Sequence, residues 1–287
     1  MTPALLREWP LPEPDDDGDK HDRGTVVVVG GTTSTPGAVL LAGLAALRAG
    51  AGRLQVLTVE PTAVALGVAM PEAMVRGLAT NADGELAPAA TEQIRAAAED
   101  AAALVIGPGL IDPSSVAALL AAVVPHLPTT AVVIDAIALV ALAEQRTLLH
   151  ALDGRCVLTP NAGEVAALLG WDPRDDVAAA AEVASTYGAS VAVRAGVAAP
   201  DGRAWRNLSG GIGLGTSGSG DVLAGLVGGL LARGAEAPQA AVWGQYLHCA
   251  AGERLATRLG RLGFLARELL DEVAPAMAAV SPGSDPD

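Results

Sequence analysis

Aromatic side chains are nearly missing from this chain: one Phe, two Tyr and four Trp make up 2% of its 287 residues. Hydrophobic residues still account for 51%, so the core has to be built from Ala, Val and Leu. Cysteine is as scarce. Cys156 and Cys249 sit in apolar segments without CxxC spacing, and they read as buried free thiols in a reducing compartment. The histidines (His21, His126, His150, His248) are scattered with no metal-ligand spacing. Basic charge is short: 18 Lys and Arg against 32 Asp and Glu give a net charge of −14. That surface repels nucleic acid and anionic lipid, and no basic cluster interrupts it, so neither is expected as a partner. Mean hydropathy is positive, yet Arg48, Pro125 or Arg233 breaks each of the longest apolar runs before it reaches spanning length. No basic segment leads into an apolar one at the N-terminus, so the expected location is cytoplasmic.

What the chain does contain is alternation. Residues 1–22 are rich in Pro and Asp without periodicity and read as a loose lead-in, and the tail 281–287 has a similarly disordered composition. Between them short apolar runs at Thr25–Val29, Leu54–Val59, Ala103–Ile106, Ala131–Ile134, Cys156–Leu158 and Ser190–Val193 predict strands. Helical patterns such as Gly37–Arg48 separate them. Strands apolar on both faces and alternating with helices predict an α/β fold with a mostly parallel sheet covered on both sides. No repeat or Gly/Ser linker divides residues 23–280, which read as one domain. Ligands in such folds gather beyond the carboxyl ends of the strands.

The strongest chemical signal lies in Gly213–Asp221, a glycine-rich run that feeds directly into the apolar segment 222–227. Open backbone amides at a helix N-terminus make an anion pocket. Asp221 at its mouth can take a proton from a hydroxyl as phosphate is transferred, or can simply cap the helix. Segment 30–38 follows a strand but carries neither GxGxxG nor GxxxxGK, so it is no dinucleotide or Walker-A loop. Gly107-Pro108-Gly109 is a tight turn. Asp135 ends a strand and either orients a metal or hydroxyl or caps the next helix. Asn161 and Glu164 have capping-box spacing, and Glu164 is also placed to help hold a hydrated Mg²⁺. Arg194 directly follows a strand and is available either to a nucleotide phosphate or to solvent.

These segments, in this order, resemble the ADP-dependent NAD(P)H-hydrate dehydratases, carbohydrate-kinase-like enzymes of the ribokinase-like superfamily. The resemblance runs from about Lys20 to the C-terminal helices. It rests on Lys20–Gly24 with Gly30-Gly31, on Gly37-Ala38, on Arg48–Gly52, on Gly107–Leu110, on Gly218–Asp221 and on His248–Gly252. It implies a ribokinase-like three-layer α/β/α sandwich, and ADP as the donor that phosphorylates hydrated NAD(P)H before phosphate is eliminated. By family position Ala38, Gly109, Asn161 and Asp221 contact the hydrate, with Asp221 as base. Arg194, Ala195, Gly196, Val197, Ala198, Gly218, Ser219 and Gly220 face the adenine nucleotide. A homotetramer is the implied assembly, in keeping with a composition rich in Ala and aliphatic residues.

Three segments depart from the family pattern. Asn161-Ala162 stands where the family has His-Pro, Ile137 replaces the second Asp of Asp-Ala-Asp, and Arg194–Ala198 replaces Lys-Gly-x-x-Thr. Asn-x-x-Glu is the form used by sugar and vitamin-precursor kinases of the same superfamily. An ATP-dependent small-molecule kinase and a catalytically weak nucleotide-binding homologue are therefore the alternative readings.

Overall fold

In the computed structural model, which describes residues 1–13 and 17–280, strand β1 (Thr25–Val29) sends Val26 and Val28 to one side and Val27 and Val29 to the other. All four valines are fully buried. This period of two, with both faces covered, explains why the strands read as unbroken apolar runs. The pattern continues in β4 (Ala103–Ile106), β5 (Ala131–Ile134), β6 (Cys156–Leu158) and β7 (Ser190–Val193). Val105, Val133, Val157 and Ala192 face one core, whereas Leu104, Val132, Leu158 and Val191 face the other.

The first core lies under α2 (Gly37–Arg48), α9 (Ser219–Ala232), α10 (Ala237–Leu259) and α11 (Ala266–Ala278). The second lies under α4 (Thr91–Glu99), α5 (Pro113–Val123), α6 (Ile137–Leu142), α7 (Ala162–Leu169) and α8 (Asp176–Tyr187). The remaining α-helices and strands are α1 (Pro3–Glu8), β2 (Arg53–Val59), α3 (Glu60–Ala69), β3 (Ala73–Leu78), β8 (Gly196–Ala198) and β9 (Ala204–Arg206). The nine strands run in the order β3-β2-β1-β4-β5-β6-β7-β8-β9. Pairing is parallel from β3 through β7, and β8 and β9 add antiparallel. This is the expected α/β/α sandwich.

All six expected strands are present, and Cys156 and Cys249 are buried free thiols. Three strands were not foreseen. β3 is an edge strand with alternating half-exposed residues, and β8 and β9 have three residues each, too few for a periodicity to register. The lead-in is also a correction. Residues 3–8 form a helix, Leu6 and Leu11 are buried, Trp9 stacks on Trp205, and the Trp243 indole donates to the Trp9 carbonyl at 2.9 Å. Scarce aromatics are spent here, clamping the N-terminal segment to α10 and β9. The expected tail 281–287 lies outside the described residues, among which no helix is long and apolar enough to cross a membrane.

Helices α2 and α9 approach closely because Gly225 and Gly229 of α9 face the backbone of Ala42 and Ala46 of α2. A Cβ on Gly225 would lie 2.1 Å from the Ala42 carbonyl oxygen, and one on Gly229 would lie 2.3 Å from that of Ala46. Ala in place of Gly ordinarily gains about 1 kcal/mol inside a helix. Here overpacking costs more, so Gly225→Ala is expected to lose about 2 kcal/mol net. Urea unfolding checks this, and a more stable variant would mean the helices do not touch in this way.

Candidate active site

The strand order reverses beside β1: β2 and β3 follow on one side and β4 on the other. Loops leaving the carboxyl ends of β1 and β4 therefore diverge and open a crevice. They are tied together where they start. The Gly31 amide donates to the Pro108 carbonyl at 2.8 Å, and the Thr35 hydroxyl donates to the Gly109 carbonyl at 2.6 Å. Gly109 adopts φ +71°, and a Cβ there would meet that of Ala38 at 2.9 Å. Two of the expected substrate-binding residues, Ala38 and Gly109, are thus brought together from positions 71 apart in the sequence.

The next strands along the sheet deliver carboxylates. Asp135 directly follows β5, is buried, and accepts a 2.8 Å hydrogen bond from the Thr159 hydroxyl. Ala136 beside it sits at φ 53°, ψ −134°, a conformation that costs a non-glycine residue of order 1–3 kcal/mol. Gly107 packs against the same backbone, since a Cβ there would fall 1.9 Å from the Asp135 carbonyl oxygen. Burial pushes Asp135 up to about 7, with the charges of Glu164 and Asp221 adding to the rise. Asn161 caps α7 in a full capping box: its side chain accepts from the Glu164 amide at 3.0 Å, and Glu164 accepts from the Asn161 amide at 2.8 Å. Burial raises Glu164, against the lowering effect of these hydrogen bonds. Asp221, in the first turn of α9, is pushed up to about 6 by burial and then by Glu164. Three acids from three elements therefore feel one another across the crevice.

Helix α9 begins at the glycine run. Gly218 takes φ +88°, and a Cβ there would strike the Leu41 side chain at 2.5 Å. The Ser219 amide donates back to the Thr216 carbonyl, while first-turn amides such as those of Gly220 and Asp221 have no acceptor within their own helix. Nothing lies within 4 Å of a Cβ built on Gly220. Amides without partners, open space and a carboxylate with a raised pKa meet at this one helix end. Sequence reasoning missed the contact behind it, a 2.8 Å hydrogen bond between Ser219 Oγ and His248 Nε2. The block His248–Gly252 was the available signal, but only the fold reveals which residue it faces.

The segment 194–198 is built differently from a nucleotide loop. Gly196–Ala198 is strand β8, with Val197 in one core and Ala198 in the other. Any contact these two make with a nucleotide runs through their backbone. The Arg194 side chain is exposed and pairs with Asp176 at 3.2 Å at the start of α8. The expected phosphate contact would require it to exchange that partner.

A profile described as NAD(P)H-hydrate dehydratase matches residues 26–275. The ADP-dependent (S)-NAD(P)H-hydrate dehydratase of Xanthomonas campestris pv. campestris is 47% identical over 95% of this chain and 94% of its own length. The chain belongs to the NAD(P)H-hydrate dehydratase family. Its match to the bifunctional NAD(P)H-hydrate repair enzyme of Moorella thermoacetica, 35% identical over 94% of the chain, spans about half of that relative, 52%. Among solved structures, the ADP/ATP-dependent NAD(P)H-hydrate dehydratase of Bacillus subtilis, co-crystallised with ATP and Mg²⁺, superposes with a TM-score of 0.79 at 28% identity, covering 98% of both chains. A ribokinase-like superfamily protein of Enterococcus faecalis gives a TM-score of 0.82 at 24% identity over 98% of this chain and 95% of that one, which shows the ribokinase-like fold.

Family membership favours hydrate repair over the kinase alternative that Asn161 had raised. In this member Asn161 is a helix cap. The raised carboxylates carry a cost of their own. Asp221 holds its proton more tightly when folded, near 6, than an unfolded Asp near 3.8. Stability from this group is thus lost as pH rises from about 4 to about 6. Asp221→Asn is expected to melt higher than the parent at about pH 8, and the advantage should vanish below about pH 4. Melting temperatures across that range decide it, and a variant less stable at pH 8 would contradict the burial of this charge.

Proposed function

We infer that this protein is an ADP-dependent NAD(P)H-hydrate dehydratase, a lyase that returns hydrated NAD(P)H to NAD(P)H. The observation that carries the reading is Asp221 in the first turn of α9, partly buried with a raised pKa, beside the open space at Gly220. A carboxylate with a pKa near neutrality is matched to general-base work. The amides of the Gly218–Gly220 turn and the positive end of α9 receive the nucleotide phosphates. Asp221 takes the proton of the hydroxyl at C6 of the hydrated nicotinamide as that oxygen attacks the β-phosphorus of ADP. AMP departs with the electrons of the broken P–O bond. The new phosphate ester then loses phosphate and a ring proton, which restores the double bond. The products are NAD(P)H, AMP and phosphate.

Ala38 and Gly109, where the first two loops meet, offer a flat floor for the hydrate, and Asn161 presents its exposed amide at the edge of the crevice. Arg194 and Ala195, with the backbone of Gly196, Val197 and Ala198, border the nucleotide end, which Ser219 closes from beneath. Mg²⁺ fits the donor set. The carboxylates offer hard oxygen ligands, yet among the described residues no three His, Cys, Asp or Glu side chains are grouped tightly enough to cage an ion. Glu164, with Asp135 and Asp221 near it, would hold such an ion through its waters, as Mg²⁺ prefers. When bound, the ion neutralises charge on the transferring phosphoryl group.

The same reading places the enzyme in the cytoplasm as a homotetramer. The exposed Val64, Val68 and Met74 around edge strand β3 support assembly through that face.

Incubating the protein with ADP, Mg²⁺ and NADPH hydrate is expected to yield NADPH and AMP in equal amounts. Asp221→Asn should slow this by about 10²-fold or more. Phosphorylation of small alcohols by ATP with no NADPH formed would instead favour a kinase.

A further inference from the structure

Helix α10 runs behind the nucleotide end of the crevice, and two of its side chains, three positions apart, reach back to that site. The Gln245 amide donates to the Arg194 carbonyl at 2.7 Å, and His248 Nε2 meets Ser219 Oγ at 2.8 Å. Both members of the second pair are buried, His248 at 7% and Ser219 at 4% exposure. Ser219 therefore cannot serve as an open phosphate ligand through its hydroxyl. Its side chain points into the protein, while its backbone continues the turn between Gly218 and Gly220.

The turn enters α9 at Gly218, whose carbonyl accepts from the Val222 amide at 3.1 Å. Glycine on either side of Ser219 costs backbone entropy on ordering, which a side-chain contact at Ser219 helps to offset. Neither Gly218 nor Gly220 has a side chain that could bond to the rest of the protein. The hydroxyl of Ser219 is the polar side chain between them. It is met by a histidine that burial pulls down to about 4, hence an uncharged ring with one donor and one acceptor nitrogen. An uncharged partner holds the hydroxyl without adding a fixed cation that would keep product phosphate in place.

We propose that His248 is a positioning residue: by holding the Ser219 side chain from behind, it fixes the Gly218–Asp221 turn so that the amides there converge on the phosphates of the nucleotide. The proposal rests on the reading that this turn receives phosphate. It extends that reading to a residue on another helix that touches neither nucleotide nor hydrate.

Calorimetric titration with ADP in the presence of Mg²⁺ tests it. His248→Leu removes the hydrogen bond and is expected to weaken ADP by about tenfold. His248→Gln, whose amide reaches the place of Nε2, should recover most of the loss. Ser219→Ala should weaken ADP by a similar factor, and adding His248→Leu to it should cost nothing more, since both remove one contact. Unchanged affinity in His248→Leu overturns the proposal, as does a double variant in which the two losses multiply. If the parent protein binds neither ADP nor ATP, the phosphate reading falls and this inference falls with it. Should His248→Leu fail to fold, the imidazole nitrogen resonances of His248 decide. A shift on adding ADP in the parent that is absent in Ser219→Ala supports the link, and no shift in the parent overturns it.

Discussion

Helix α9 touches α2 backbone to backbone, with Gly225 and Gly229 lying over the carbonyls of Ala42 and Ala46, and Gly228 presses on Val105 of the sheet. At those two glycines not even a methyl group fits without a shift. The consequence is positional. With its middle fixed against a helix and a strand, α9 can only begin where it does, beyond the carboxyl end of the sheet and facing the loops after β1 and β4. The anion-binding end of a helix is useful to a ligand only if it is aimed, and here the aim is set by two glycines one turn apart. The same seam brings Leu41 against Gly218, so the first turn is confined from outside as well as from within.

Electrostatics at the crevice oppose stability. Asp135, Glu164 and Asp221 are all raised by burial, and the charges of Glu164 and Asp221 add to the rise at Asp135. A fold selected for stability alone would separate them. Their hydrogen bonds reduce the penalty without removing it: Thr159 donates to Asp135, and the α7 capping box satisfies Glu164. Asp221 is left the freest of the three. The raised pKa of Asp221, about 6, follows from the same crowding. The left-handed Ala136 adds a second cost at the same place, holding Asp135 at the end of its strand.

Much of this was legible in the sequence because the signals were strong and local. Strands buried on both faces, such as Thr25–Val29, are unbroken apolar runs, and the glycine run before an apolar segment marks the start of α9. Asn161 and Glu164 carry their capping box in their spacing. What stayed hidden depends on contacts distant in sequence or on very short elements. β8 has three residues, so Arg194–Ala198 reads as a loop until its partners β7 and β9 are seen. The helix at Pro3–Glu8 is held by Trp9 against Trp205 and Trp243, residues roughly two hundred positions away. Arg194 looks like a phosphate ligand in sequence, but Asp176 on α8 engages it. The pairing of Ser219 with His248 spans 29 positions and two helices. No local pattern encodes it.

The central claim is that backbone at the start of α9, rather than a basic side chain, receives the nucleotide. Gly220 allows a direct test, because a Cβ there would meet no atom beyond its chain neighbours and its own helix backbone within 4 Å, and its φ is not in the left-handed region. Gly220→Val should therefore leave the melting temperature close to that of the parent while filling the space a phosphate would take. Titration of this variant with ADP and Mg²⁺ should show binding lost or weakened by about 10²-fold, the scale of a steric block at close backbone approach. Parent-like affinity in a folded Gly220→Val protein would contradict the account and place the nucleotide elsewhere.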